Sequence, residues 1–265
     1  MRWIQAASAG VDRLLFPELI ESDVMVTNAR GVFDRTIAEY VIGLIIAFAK
    51  DFATTFEHAR ERVWEHRDTE PVHGKEVVVV GVGPIGRAIG SAAVGLGMGV
   101  RGVGRRGRRE DRLFGEIVPV SRLTQALATA DYVVNALPAT PETRHLFDAR
   151  AFDSMKPTAV FLNIGRGLTV DEQALVDALA EGRIGGAGLD VFEQEPLPKD
   201  SALWALPNVI VSPHMSGDFY GWEEAIVEIF LENLERFSRG QPLLNVVDKR
   251  LGYVADSIVE PSERG

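Results

Sequence analysis

Cysteine is absent from the chain, which removes disulfides, thiolate metal sites and cysteine nucleophiles together and suits a cytoplasmic protein. Histidine is scarce, with five in 265 residues. His58, His66, His73 and His145 have neither metal-ligand spacing nor a carboxylate cluster beside them, so no metal site is expected; the fifth is His214. A long apolar run is missing too. The longest, Tyr40 to Ala49, is bounded by Glu39 and Lys50 and falls well short of the ~20 residues that span a bilayer, so it predicts a buried helix. The first residues show no signal-peptide pattern. Positive charge is in deficit, 28 Lys and Arg against 38 Asp and Glu for a net −10, so neither nucleic acid nor anionic lipid is an expected partner. An anionic ligand must be drawn by a local cluster, and the dense one is Arg105-Arg106-Gly107-Arg108-Arg109.

What is present is ordinary for a globular protein: 46% hydrophobic and 25% charged residues, with length for one large or two moderate domains. The chain is organised around Val77-Val78-Val79-Val80-Gly81-Val82-Gly83-Pro84-Ile85-Gly86. Continuous β-branched residues suit a parallel strand covered on both faces. Gly81, Gly83 and Gly86 have the G-x-G-x-x-G spacing that lets backbone approach a pyrophosphate at a helix N-terminus. Pro84 suits a first-turn helix position, and Ala88, Ile89 and Ala92 continue at helical spacing before a second strand pattern near Gly99.

Taken in order, Arg2 to Ala6 reads as a strand, followed by a turn at Ser8 to Asp12 into a helix carrying Leu14, Leu15 and Phe16. Val24 to Thr27 reads as the next strand. Thr36-Ile37-Ala38-Glu39 has the form of a capping box opening a long helix toward Lys50. Helical composition continues to Trp64, and His66 to Gly74 is a polar link. From Glu76 to Pro213, apolar runs at Val77, Val100, Ile117, Tyr132, Ala159, Gly186 and Val209 alternate with helical or turn segments, as seven parallel strands of a βαβ series require. Ligands of open α/β sheets bind beside strand C-terminal ends, so Arg166, Asp190 and His214, which follow such runs, are expected to converge. Trp222 to Phe237 predicts a last amphipathic helix with Ala225, Ile226, Ile229, Phe230, Leu234 and Phe237 on its apolar stripe. A loose tail is expected from Asp256.

Four motifs in this order, Gly81-Val-Gly-Pro-Ile-Gly86, Asn163-Ile-Gly-Arg-Gly167, Gly188-Leu-Asp-Val-Phe-Glu-Gln-Glu-Pro196 and Ser212-Pro-His-Met-Ser-Gly217, resemble those of the D-isomer-specific 2-hydroxyacid dehydrogenases. Trp3 to Asp12, Ala38-Glu39 and Leu243 to Val247 are similar to flanking segments of that family. The resemblance implies an α/β fold: a doubly wound parallel Rossmann sheet, residues 51–219, and a smaller flavodoxin-like substrate domain, residues 1–50 and 220–265. It also implies that this smaller domain is N-terminally shortened by two strand–helix units, about 50 residues. The implied activity is reversible hydride transfer between NADP(H), or NAD(H), and a small 2-oxo or 2-hydroxy acid, glyoxylate or hydroxypyruvate first. The implied assembly is a homodimer around the helix from Thr36 to Lys50. A non-catalytic dinucleotide-sensing protein of the corepressor type is the alternative, disfavoured by an intact catalytic set.

That set is Arg166, Glu195 and His214 by resemblance. Reduction of a 2-oxo acid needs a cation for the carboxylate and an acid for the carbonyl oxygen. Arg166 offers a planar fork for the first, and imidazole titrates near neutral pH for the second. Glu195 is expected to hold the other ring nitrogen, with Glu193 as its rival. Gly83, Pro84, Ile85 and Gly86 are expected on the cofactor pyrophosphate. Pro138, Thr143, Ile164 and Asp190 are expected on the ribose and nicotinamide, with Leu137, Gly165, Arg166, His214, Ser216 and Gly217 completing the cofactor contacts. Ala9, Gly10 and Val11 form the expected backbone anion nest for the substrate carboxylate, together with Arg166 and His214. The acidic residue about 20 positions after the glycines that accepts from the ribose 2′-hydroxyl in NAD-binding units is replaced by Gly104. Arg105 and Arg106 follow it, which predicts a preference for NADPH.

Overall fold

The computed structural model describes residues 1–255, and the tail expectation from Asp256 lies outside them. Two compact units are formed, Asp34–Asp218 and Met1–Phe33 with Phe219–Gly265. The smaller unit opens with β1 (Trp3–Gln5), α1 (Pro17–Glu21) and β2 (Met25–Thr27). The larger begins with α2 (Asp34–Ala49) and α3 (Phe52–Glu61), then β3 (Glu76–Val80), α4 (Pro84–Gly95), β4 (Gly99–Gly104), β5 (Arg108–Asp111) and β6 (Gly115–Pro119). It continues through α5 (Leu123–Leu127), β7 (Tyr132–Asn135), α6 (Ala149–Asp153), β8 (Val160–Asn163), α7 (Glu172–Ala180), β9 (Gly186–Leu189) and β10 (Val209–Val211). The last helix, α8 (Trp222–Ser238), belongs to the smaller unit.

In the larger unit the strands lie in the order β10-β9-β8-β7-β3-β4-β6-β5. The seven expected strands are present and pair in parallel. Val77 to Val80 are fully buried, as a central strand sandwiched between helices demands. An eighth strand, β5, was not expected: the second half of the arginine run pairs antiparallel with β6 at the sheet edge. Its anchor is Asp111, whose buried carboxylate accepts from Arg87 at 3.1 and 2.6 Å and from the N–H groups of Leu113 and Phe114 at 3.0 and 3.1 Å. These donors hold the Asp111 carboxyl well below the ordinary range, the Arg87 guanidinium most of all. Phe147, Phe152 and Phe161 form an aromatic cluster in the core, with centroids 4.8 to 6.5 Å apart.

Three boundaries differ from expectation. The division falls after Phe33 rather than at residue 50, because α2 packs on the large sheet. The reason is room: ideal Cβ atoms at Gly186 and Gly188 would lie 2.9 Å from Phe48 and 3.1 Å from Leu44, so bare backbone there admits the helix. Thr36 lies inside α2 rather than capping it, since the helix already begins at Asp34, and Glu39 pairs with Arg35 at 2.9 Å instead. Leu14, Leu15 and Phe16 precede α1 rather than riding on it; Phe16 is extended before Pro17, as steric conflict with the proline ring requires.

In the smaller unit β1 and β2 pair in parallel, Trp3 opposite Met25. The Trp3 ring stacks on Phe230 and Phe237 of α8, at 5.6 and 5.5 Å, and its Nε1 donates to Thr27 Oγ1 at 2.8 Å. The buried slot in the middle of α8 is filled by a polar side chain: Asn233 Nδ2 donates to Gln5 Oε1, while its Oδ1 accepts from the Leu244 N–H. Phe230 and Leu234, expected on the apolar stripe, are exposed with Val227 and Leu231. Among the described residues no helix is long and apolar enough to cross a membrane.

Candidate active site

Because β3, β7, β8, β9 and β10 run in parallel, their C-terminal ends share one edge of the larger sheet; β3, β8, β9 and β10 lead into the four sequence motifs, and β7 leads into the Leu137–Pro138 loop. After β10 the chain turns sharply. His214 sits there in the left-handed region at φ 54°, a conformation unfavourable for a residue with a Cβ. The turn is held by Asp190, which follows β9 and is fully buried. Its carboxylate accepts from Ser212 Oγ at 2.6 Å and from the N–H groups of Met215 and Ser216, each at 2.9 Å. Three hydrogen bonds to an ionised acceptor, each of about 1.5 to 3 kcal/mol, outweigh the ~1 to 2 kcal/mol cost of the left-handed residue. The expectation is that Asp190 faces the nicotinamide and that Ser216 touches the cofactor; the geometry gives both a part in fixing the His214 turn as well. Tyr40 of α2 joins this network through Ser212; burial raises its hydroxyl pKa, partly offset by that hydrogen bond.

His214 Nδ1 lies 2.9 Å from Glu195 Oε2. Glu195 Oε1 accepts from the Phe192 N–H at 3.2 Å, so both carboxylate oxygens are oriented. The Glu195 side chain is 17% exposed and that of His214 44%, which leaves Nε2 as the nitrogen that can face a ligand. Glu193 is turned away toward Glu172 and His145. Spacing alone could not separate the two glutamates; the structure brings Glu195 to the imidazole.

Arg166 follows β8 in an extended conformation, and its Nη1 donates to the Gly165 carbonyl at 2.8 Å. The strand ends beneath it are joined by buried amides: Asn135 Nδ2 donates to Asn163 Oδ1 at 2.9 Å and to Thr169 Oγ1 at 2.6 Å. Gly165 and Gly167 are tight on either side of Arg166. A Cβ at Gly165 would fall 2.6 Å from the Leu137 carbonyl oxygen, and one at Gly167 would fall 1.8 Å from the Phe192 carbonyl carbon. Thr143 closes the Pro138 loop by donating to the Pro138 carbonyl at 2.7 Å. Ile164 is buried and Leu137 partly so.

The glycine turn fits a dinucleotide. Gly81, at φ 106°, and Gly86 are required by packing, since their Cβ atoms would lie 2.7 Å from Ala136 O and 1.9 Å from Gly81 O. Gly83 differs: a Cβ there meets nothing within 4 Å. It is the N-cap of α4 and supplies no side-chain cap, with Pro84 opening the helix, so the first N–H groups of α4 face open space suited to a phosphate. Arg105 and Arg106 follow β4 and are exposed. Gly104 is constrained by packing as well as by any ligand, its Cβ position being 3.1 Å from both Val82 and Ile117. In the smaller unit, the Ala9 carbonyl accepts from Asn28 at 2.6 Å, the Gly10 carbonyl from Ser8 Oγ at 2.6 Å, and the Val11 carbonyl from the Leu14 N–H at 2.9 Å. The carbonyl side of that loop is thereby tied down.

Sequence reading missed four contributors: Tyr40, Gly167, Glu172 and His145. Gly167 stood in a recognised motif, and its flanking position beside Arg166 was the available signal. No pattern marked the other three.

A parallel sheet, a glycine cradle at a helix start and a carboxylate-held histidine at the strand ends define a dinucleotide-dependent oxidoreductase. The model of the D-isomer specific 2-hydroxyacid dehydrogenase NAD binding domain matches residues 42–216. The chain belongs to that family. It is 35% identical over 260 residues to a glyoxylate reductase of Korarchaeum cryptofilum, covering 95% of this chain and 77% of that one. Among solved structures it resembles a D-isomer specific 2-hydroxyacid dehydrogenase family protein of Aeromonas salmonicida, with TM-score 0.86, 40% identity and coverage of 94% and 79%. It also resembles an NADPH-dependent glyoxylate/hydroxypyruvate reductase of Sinorhizobium meliloti in complex with NADP and sulfate, with TM-score 0.86, 29% identity and coverage of 96% and 80%.

Proposed function

We propose that the protein reduces a small 2-oxo acid, glyoxylate or hydroxypyruvate, with NADPH. The observation that carries this is the Glu195–His214 contact at 2.9 Å through Nδ1, which leaves Nε2 to act on a ligand. The bound dinucleotide supplies the hydride. Arg166 binds the substrate carboxylate through its planar fork. His214 Nε2 delivers a proton to the carbonyl oxygen as it gains negative charge. Glu195 holds the orientation of the ring through Nδ1. Gly83 to Gly86 cradle the pyrophosphate, and Leu137, Pro138, Thr143, Ile164, Gly165, Asp190, Ser216 and Gly217 shape the rest of the cofactor site, Asp190 and Ser216 through the His214 turn.

The deciding experiment is single-turnover reduction of glyoxylate by His214→Ala. Turnover is expected to fall by a factor on the order of a hundred to ten thousand with NADPH affinity nearly unchanged. Retention of more than half of wild-type turnover would overturn the assignment.

We also infer a homodimer. Directly after α2, helix α3 buries none of its residues, Phe52 and Phe56 are exposed, and Trp64 is 100% exposed beyond it. Apolar surface of this kind favours a partner, and a second copy is the one proposed. Light scattering is expected to give twice the 29.0 kDa of one chain; a monomer at micromolar concentration would refute this.

A further inference from the structure

Glu193 does not face the imidazole, yet it is among the most tightly engaged side chains near it. Its Oε1 accepts from the Glu172 N–H at 3.3 Å, while its own N–H donates to Glu172 Oε2 at 3.2 Å, a reciprocal clasp between the turn after β9 and the first turn of α7. His145 Nε2 lies 3.0 Å from the same Glu193 oxygen. That nitrogen is buried without a hydrogen-bond partner, and the Glu193 carboxylate is the group set against it. His145 is itself held in the left-handed region at φ 47°, with its N–H donating to the Leu168 carbonyl at 3.0 Å. Gly167, next to Arg166, completes the frame: its Cβ position would be 2.3 Å from the Glu193 nitrogen, so the Arg166 segment and the Glu193 turn touch backbone to backbone. From this turn the bond from the Phe192 N–H to Glu195 Oε1 leads directly to Glu195 Oε2 and His214.

We propose that Glu193 is a positioning residue: with Glu172 and His145 it pins the turn Phe192–Glu195 to α7 and thereby fixes where Glu195 presents its carboxylate to His214. The proposal rests on the assignment of Glu195 and His214 made above. Burial of the Glu172 carboxyl raises its pKa, and the Glu193 charge adds to this. A pair of facing carboxylates is therefore retained here against an electrostatic cost, which the two backbone N–H donors offset.

The test is a double-mutant cycle on kcat for glyoxylate reduction with NADPH, using the full chain. Glu193→Ala is expected to lower kcat about 10- to 100-fold, the scale of a displacement near 1 Å at a reacting group, with NADPH affinity held within about twofold. Glu193→Gln keeps the oxygen that accepts from Glu172 and is expected to recover most of the loss. In a Glu195→Ala background, Glu193→Ala is expected to have almost no further effect, because the group it positions is gone. An equal loss in both backgrounds would mean a merely structural role and would overturn the proposal. If Glu195→Ala itself left kcat unchanged, the underlying catalytic assignment would fall, and the proposal with it. Thermal melts of each variant separate either result from unfolding.

Discussion

Gly83→Ala separates the fold from the cofactor more cleanly than any other single change in this chain. Gly83 has φ −70° and ψ −172°, an extended conformation open to any residue, and an added methyl meets no atom within 4 Å. The folded protein should lose only the difference between glycine and alanine at an N-cap, about 1 kcal/mol or less. For a domain of this size that is a fall in Tm of about 2 to 4 °C. The methyl would instead occupy the space in front of the α4 amides where a pyrophosphate must approach. Overpacking a close contact costs about 1 to 3 kcal/mol, or roughly 5- to 150-fold in Kd. Gly86→Ala is the control, since its Cβ would overlap the Gly81 carbonyl oxygen at 1.9 Å; it should lower the melting temperature strongly and weaken binding only as a consequence. Calorimetric titration with NADPH beside thermal melts reads both quantities. Wild-type affinity in folded Gly83→Ala would refute the cradle, and a collapse of its Tm would refute the claim that the space is empty of protein.

The joint change Arg105→Ala with Arg106→Ala should erase most of the preference for NADPH over NADH. One or two charge-assisted bonds to a 2′-phosphate, at about 1.5 to 3 kcal/mol each, amount to roughly ten- to several-hundred-fold in kcat/KM; a wild type that favours NADH would sink this. Asp111→Asn should destabilise the larger unit by about 1 to 3 kcal/mol at pH 7, the lower figure allowing for screening at the partly exposed Arg87. Because the folded Asp111 pKa is depressed, its contribution is complete above the unfolded value of about 3.9 and is lost as pH falls below it. The difference in Tm between wild type and Asp111→Asn should therefore narrow between pH 7 and pH 3, and a constant gap would contradict the ion-pair account.

The larger unit was legible wherever a strand is covered on both faces, because burial there leaves a continuous apolar run, as in Val77 to Val80. Strand β5 was not legible: Arg108 to Asp111 carry no apolar alternation, and what places them is one buried carboxylate collecting donors from helix α4 and from the turn at Leu113 and Phe114. The allegiance of α2 was hidden for a related reason, since the glycines that make room for Phe48 and Leu44 lie well over a hundred positions downstream. Within the site, His214 and Arg166 could be read from motif context. The duties of Asp190 and Glu193 could not, because their partners are mostly backbone N–H groups, which every residue except proline carries and no sequence pattern marks.

The amide pair at Asn135 and Asn163 bears on how the sheet finds its alignment. Runs of valine are interchangeable from one residue to the next, so apolar packing alone discriminates poorly between neighbouring parallel registers. Asn135 lies opposite Asn163 in the ladder, and the Asn135 side chain also reaches Thr169. A shift of β7 against β8 would leave these polar groups buried without partners, at about 1 to 3 kcal/mol for each one stranded. Two asparagines thus act as an index mark: they penalise misalignment at the strand ends that deliver Arg166 to its place.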